Sequence, residues 1–109
     1  MGTISIDDFR NLELRVATIT AAAPHPNADR LLVLTIDLGS EQRQLVAGIR
    51  AHYQPEDLVG KQIIVVANLQ PATLRGVQSQ GMLLAASDDQ GRLAIVTPER
   101  SVANGASVS

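Results

Sequence analysis

The spacing of apolar residues changes several times along the chain, and each change marks an element. Ser5 stands three residues before Asp8, as in a capping box, and Phe9 and Leu12 follow as one apolar stripe, so a short helix is predicted at the start. Over residues 13–20 the period falls to two, with Leu12, Leu14 and Val16 on one face and Glu13 and Arg15 opposite. The phase breaks between Val16 and Ile19, which suits a bulged, strongly coiled strand. Residues 24–29 are turn-rich, with two prolines around His25. Residues 31–38 alternate again, Gly39-Ser40-Glu41 is a hairpin signal, and Arg43, Leu45, Ala47 and Ile49 continue on the return strand.

Pro55, Glu56, Asp57 and the closing Gly60 describe one or two turns of helix. Residues 62–67 are β-branched and apolar, as in a strand buried on both faces. Residues 68–80 read as a long, polar, irregular segment, interrupted by Pro71 and Gly76. Two apolar strands follow, at 82–86 and 93–96, and the tail from Thr97 is rich in Ser, Ala and Gly. The order is helix, three strands, short helix, two strands and C-terminal pieces. It predicts an all-β, five-stranded Greek-key barrel of the OB-fold type, with short helices and a C-terminal extension, as a single domain over residues 1–109. A generic α+β sandwich is the competing arrangement.

Composition narrows the chemistry. At 109 residues the chain suits one domain with one core. The absence of cysteine excludes disulfides, thiolate metal sites and cysteine nucleophiles, and two histidines make no zinc site without carboxylate help. No apolar run, that at residues 63–67 included, approaches the ~20 residues of a membrane span, and the acidic start does not resemble a secretory signal, so a cytoplasmic protein without membrane contact is expected. The net charge of −2 argues against coating nucleic acid through bulk positive charge.

Ligands of OB-folds sit on the second and third strands, between the loops joining strands 1–2 and 4–5. Here those loops are residues 24–30 and 68–80, the two longest polar segments, and both carry amide, hydroxyl and guanidinium groups. Catalytic groups are not evident. Asp7 and Asp8 suit a first helical turn, and Asp88 and Asp89 a turn beside Gly91. Ser79 has no histidine near it in sequence, His25 reads as an exposed loop residue, and His52 as the polar start of a helix. Neither an enzyme nor a cofactor is expected. Eight arginines and Lys61 supply cations suited to phosphate, although an ordinary solvated surface explains them equally well. With only Phe9 and Tyr53 as aromatics, a track that stacks successive bases is disfavoured, whereas a folded RNA remains compatible.

Many separate motifs, in order, resemble the tRNA-binding domain family found at the C-terminus of many methionyl-tRNA synthetases. The family also includes free-standing bacterial proteins and a domain of the phenylalanyl-tRNA synthetase β-chain. The matching runs are Asp8-Phe9, Leu14-Arg15-Val16-Ala17, the stretch from His25 through Leu32, Val46-Ala47-Gly48-Ile49, and Tyr53 with the stretch from Pro55 to Lys61. They continue through Val66-Ala67-Asn68-Leu69, Leu74-Arg75-Gly76, Ser79-Gln80-Gly81-Met82 and Glu99-Arg100. The resemblance implies an OB-fold without catalytic activity that holds tRNA, as a homodimer, either freely or for an aminoacyl-tRNA synthetase. It further implies tRNA contacts at Arg30, Ser79, Gln80 and Met82, with Asn27, Asn68, Arg75 and Arg15 completing the candidate set. Arg30 would pair with phosphate, Ser79 and Gln80 would meet ribose or a base edge, and Met82 would touch a base face. Packing into the last barrel strand is the alternative for Met82, and closing its own loop the alternative for Asn68.

Few cations follow Pro71, where relatives carry more, and with the acidic balance this implies weaker and more salt-sensitive tRNA binding. Met1 close to the first helix suits a whole small protein rather than a synthetase fragment. One branch of the family is linked to export, so a protein-binding or chaperone-like module is an alternative function. A synthetase-assembly module is another.

Overall fold

Strand β1 (Leu14–Pro24) is the spine of the molecule. In the computed structural model, which describes residues 2–109, its first half pairs with β4 (Gln62–Val66) and its second half with β2 (Leu32–Asp37). β2 pairs with β3 (Gln42–Ala47), and β4 with β7 (Met82–Leu83), all antiparallel. The sheet order is therefore β3-β2-β1-β4-β7, a nearly closed five-stranded barrel of the predicted OB type. No ladder joins β3 to β7. The seam is sewn instead by Gln80, whose N–H donates to the Gln44 carbonyl at 2.8 Å while its Oε1 accepts from the Gln44 N–H at 3.1 Å. Beside it, Ser79 Oγ accepts from the Val46 N–H at 2.9 Å.

The alternation on β2 places Leu32, Leu34 and Ile36 inside the barrel, where they meet Ala17, Ile19, Leu45, Ile63 and Val65. Helix α2 (Pro55–Leu58) closes one end of this core with the fully buried Leu58. Leu14, Val16, Ile64 and Val66 point the other way and form a second cluster outside the barrel. Phe9 of helix α1 (Ile6–Arg10), Leu84, Ala106 and Val108 cover it. The apparent phase break after Val16 thus marks a strand buried on both faces, since its outer face is covered by both chain ends. The bulge itself lies further on, where the register with β2 shifts between Ile19 and Ala21, leaving Thr20 exposed.

Helix α1 begins as expected, with Ser5 Oγ accepting from the Asp8 N–H at 3.0 Å. The C-terminal segment is strapped across the outside. β10 (Ser107–Val108) pairs with Leu14 and Arg15, Gly105 donates its N–H to the Val16 carbonyl at 2.7 Å, and Thr18 Oγ1 donates to Asn104 Oδ1 at 2.7 Å. The segment expected to be irregular, 68–80, contains a tight hairpin of β5 (Ala72–Leu74) and β6 (Val77–Ser79). Its two turn residues, Arg75 and Gly76, both have positive φ, +52° and +88°, which matches the twist a two-residue hairpin needs. A second hairpin joins β8 (Ala85–Ser87) to β9 (Leu93–Ile95), and Asp88 caps its turn by accepting from the Gln90 and Arg92 N–H groups. Among the described residues, no helix is long and apolar enough to cross a membrane.

Candidate nucleic-acid interface

His25 organises one mouth of the barrel. It follows β1 directly, and the chain folds back so that its N–H donates to the Leu31 carbonyl at 3.0 Å. The ring is 3% exposed, contrary to the expectation of an exposed loop residue. Its Nδ1 faces the Asn27 N–H at 2.9 Å and so accepts, which leaves the ring proton on Nε2 to be donated to the Leu74 carbonyl at 2.8 Å. Both ring nitrogens are satisfied, which offsets the cost of burying the imidazole. One side chain thereby ties the loop at 25–31 to the β5–β6 hairpin, and the two polar segments singled out in the sequence meet here.

Three arginines surround this junction. Arg30 is exposed and precedes Leu31; Arg75 is exposed at the hairpin turn and follows Leu74. Arg50, on the connection after β3, donates its N–H to the Arg30 carbonyl at 3.4 Å and reaches the Ala28 carbonyl through Nη1 at 3.4 Å. Among the described residues, Arg10, Arg43, Arg92 and Arg100 are ion-paired with Asp7, Glu41, Asp88 and Glu99, and these three mouth arginines are not. Three connections that meet at His25 thus each carry an arginine that is in no ion pair, the kind of group that phosphate recognition uses. Sequence reasoning passed over Arg50; its place one residue beyond Ile49, at the exit of the return strand, was the available signal.

The other candidates divide. Asn27 is exposed at the mouth, its N–H committed to His25. Met82 is 49% exposed and lines an apolar cleft of about 590 Å³ between the end of β3 and the two hairpins, so it does not pack into the core. Ser79 is buried, and its hydroxyl is committed twice, accepting from Val46 and donating to the Gly81 carbonyl at 2.9 Å. Gln80 is exposed but holds the seam. Asn68 accepts from the Glu13 N–H at 2.9 Å and donates to the Asn11 carbonyl at 2.7 Å, so it fastens the α1–β1 junction rather than its own loop. Arg15 donates to the Gly105 carbonyl at 3.0 Å and holds the C-terminal strap. Neither aromatic ring is presented for stacking at the mouth. Phe9 packs on the outer cluster, and Tyr53 packs against the core with its hydroxyl accepting from the Ile95 N–H at 3.1 Å. No cluster of three or more metal-ligating side chains occurs among the described residues.

Comparison with known proteins gives the family. Residues 14–107 match the model of the family described as "Putative tRNA binding domain". The chain is 52% identical over 99% of its length to a methionine–tRNA ligase of Thermococcus kodakarensis, and 54% identical over 99% to that of Thermotoga maritima. It spans 14% and 17%, respectively, of the lengths of those relatives. Among solved structures, a MetRS-related protein from Pyrococcus horikoshii superposes with a TM-score of 0.94 at 34% identity, covering 100% of both chains. The chaperone CsaA from Bacillus anthracis superposes with a TM-score of 0.91 at 32% identity, covering 99% of this chain and 100% of the other. With nearly the whole barrel and its strap inside the matched region, the chain belongs to the tRNA-binding domain family.

Proposed function

We propose that this chain is a non-catalytic module that binds tRNA at the mouth formed by the loop at 25–31, the Arg50 connection and the β5–β6 hairpin. The observation that carries this reading is that Arg30, Arg50 and Arg75, none in an ion pair, lie on connections that meet at the buried His25. Contacts to phosphate from arginines carried on three tied connections read the spacing of a folded backbone rather than a base sequence. Asn27 and Met82 lie at the same mouth and are the remaining contacts we assign, whereas Ser79, Gln80, Asn68 and Arg15 act by holding the frame.

The module works as a homodimer, in which two mouths meet one bent RNA. The exposed Ile4, Ile6 and Leu12 around α1, with Val102 on the strap, supply the apolar surface for that contact. Its setting is the cytoplasm, serving an aminoacyl-tRNA synthetase either as an appended domain or as a separate subunit. A protein-binding role is the second reading, favoured by the apolar cleft and by the likeness to CsaA.

Filter binding of bulk tRNA, against single-stranded RNA and duplex DNA at several salt concentrations, tests the first reading. Selective retention of tRNA supports it; equal retention of all three would reduce it to nonspecific charge.

A further inference from the structure

We infer, building on the RNA reading above, that the cleft beside β3 is a slot for one unstacked nucleobase, whose flanking phosphates sit on Arg30, Arg50 and Arg75. Its volume is about 590 Å³, and its walls include Val46, Ile49, Leu74, Met82 and Leu84. Leu74 and Met82 are 39% and 49% exposed, so apolar surface stands open there. A base is flat and apolar on both faces and polar only at its edge. Apolar walls with an amide among them, here Gln70, match that chemistry.

Charge complementarity decides the occupant. No cation lines the cleft itself, but the arginines flank its lining in sequence: Arg50 follows Ile49, and Arg75 follows Leu74. Arg30 precedes Leu31, whose side chain lies within 3.8 Å of the Cβ position of the lining Gly48. Apolar walls with arginines one or two residues beyond them suit a nucleotide, with base inside and phosphate outside.

An extended peptide is served less well. Peptides that add to a sheet edge need free main-chain donors and acceptors. Along β3 the Gln44 N–H, Gln44 carbonyl and Val46 N–H are already taken by Gln80 and Ser79, and the Leu74 carbonyl on β5 is taken by His25. With no aromatic track beside it, the slot takes one base rather than a run.

The test uses the full chain with three probes: a blunt RNA duplex, the same duplex with a short single-stranded 3′ overhang, and bulk tRNA. The wild type is expected to prefer the overhang duplex by about tenfold, the scale of one captured base. Ala72→Phe, which fills the cleft from the exposed face of β5, and Met82→Ala, which removes a wall, are each expected to shrink that preference toward unity. Equal binding of the two duplexes by the wild type, or an unchanged preference in both variants, overturns the slot. Failure to retain bulk tRNA defeats the RNA reading itself, a distinct result. A labelled unstructured apolar peptide that outcompetes the overhang duplex overturns the nucleotide as occupant.

Discussion

Replacing Ser79 by alanine isolates the seam of the barrel. The hydroxyl accepts from the Val46 N–H and donates to the Gly81 carbonyl, both at 2.9 Å, and Ser79 is 5% exposed. Alanine keeps the backbone and nearly the volume while leaving one donor and one acceptor without their partner. An unsatisfied buried polar group costs about 1–3 kcal/mol, and taking each of the two at about 1–2 kcal/mol gives about 2–4 kcal/mol for the pair. That is a large share of the 5–15 kcal/mol that typically stabilises a domain of this size. On the usual entropy scale it lowers the melting temperature by roughly 10–20 °C. Urea unfolding followed by circular dichroism reads the difference directly, and an unchanged m-value would show that the unfolded state is not the cause. Binding of bulk tRNA, measured where both proteins are folded, is expected to change by less than about threefold, since the hydroxyl is not presented to a ligand. A stability loss under about 0.5 kcal/mol would refute the seam argument. Intact stability with a large loss of binding would return Ser79 to the role implied by family resemblance.

Four further outcomes follow from the same geometry. Arg30→Ala, Arg50→Ala and Arg75→Ala are each expected to weaken tRNA binding and to flatten the log–log salt slope by about 0.7–0.9, measured by filter binding across a salt series. This corrects the expectation of greater salt sensitivity, because fewer phosphate contacts release fewer counterions and give a shallower slope. His25→Ala is expected to cost about 1–3 kcal/mol in stability, and to lower tRNA affinity at least as much as Arg75→Ala, because it releases the hairpin that carries Arg75. Gly105→Ala is expected to destabilise the protein by about 1–3 kcal/mol, because φ is +87° and a Cβ there runs into the Leu38 carbonyl; faster proteolysis of the strap is the readout. Light scattering after size exclusion is expected to show a dimer that Ile6→Asp converts to a monomer; a wild-type monomer at micromolar concentration contradicts the dimer.

The barrel was legible because β2, β3 and β4 carry patterns that burial imposes directly: Leu32, Leu34 and Ile36 at period two, and an unbroken apolar run in β4. Both short helices were legible from local signals, the Ser5 cap and Pro55. The covered outer face of β1 was not, since burial of Leu14 and Val16 depends on Ala106 and Val108, some 90 residues away. Nor was the β5–β6 hairpin, because Arg75 takes a backbone conformation that sequence rules reserve mainly for glycine and asparagine. Of the residues singled out by motif, Arg30, Arg75, Asn27 and Met82 are exposed. Ser79 and Asn68 spend their polar atoms on partners within the chain, and a hydroxyl or amide in a motif gives no sign of where its partners lie. His25 was misjudged for the same reason: its two partners lie two and 49 residues away, and the second leaves no local trace in the sequence.

The seam between β3 and β7 has a consequence for how such a molecule changes over time. Where ordinary strands would share a ladder, the wall is one serine and one glutamine thick, and the cleft opens right against it. Loss of those two side chains would part the wall along a single line while the β3-β2-β1-β4-β7 ladders kept their pairing. The seam is therefore where such a barrel is expected to open first, under heat or by mutation.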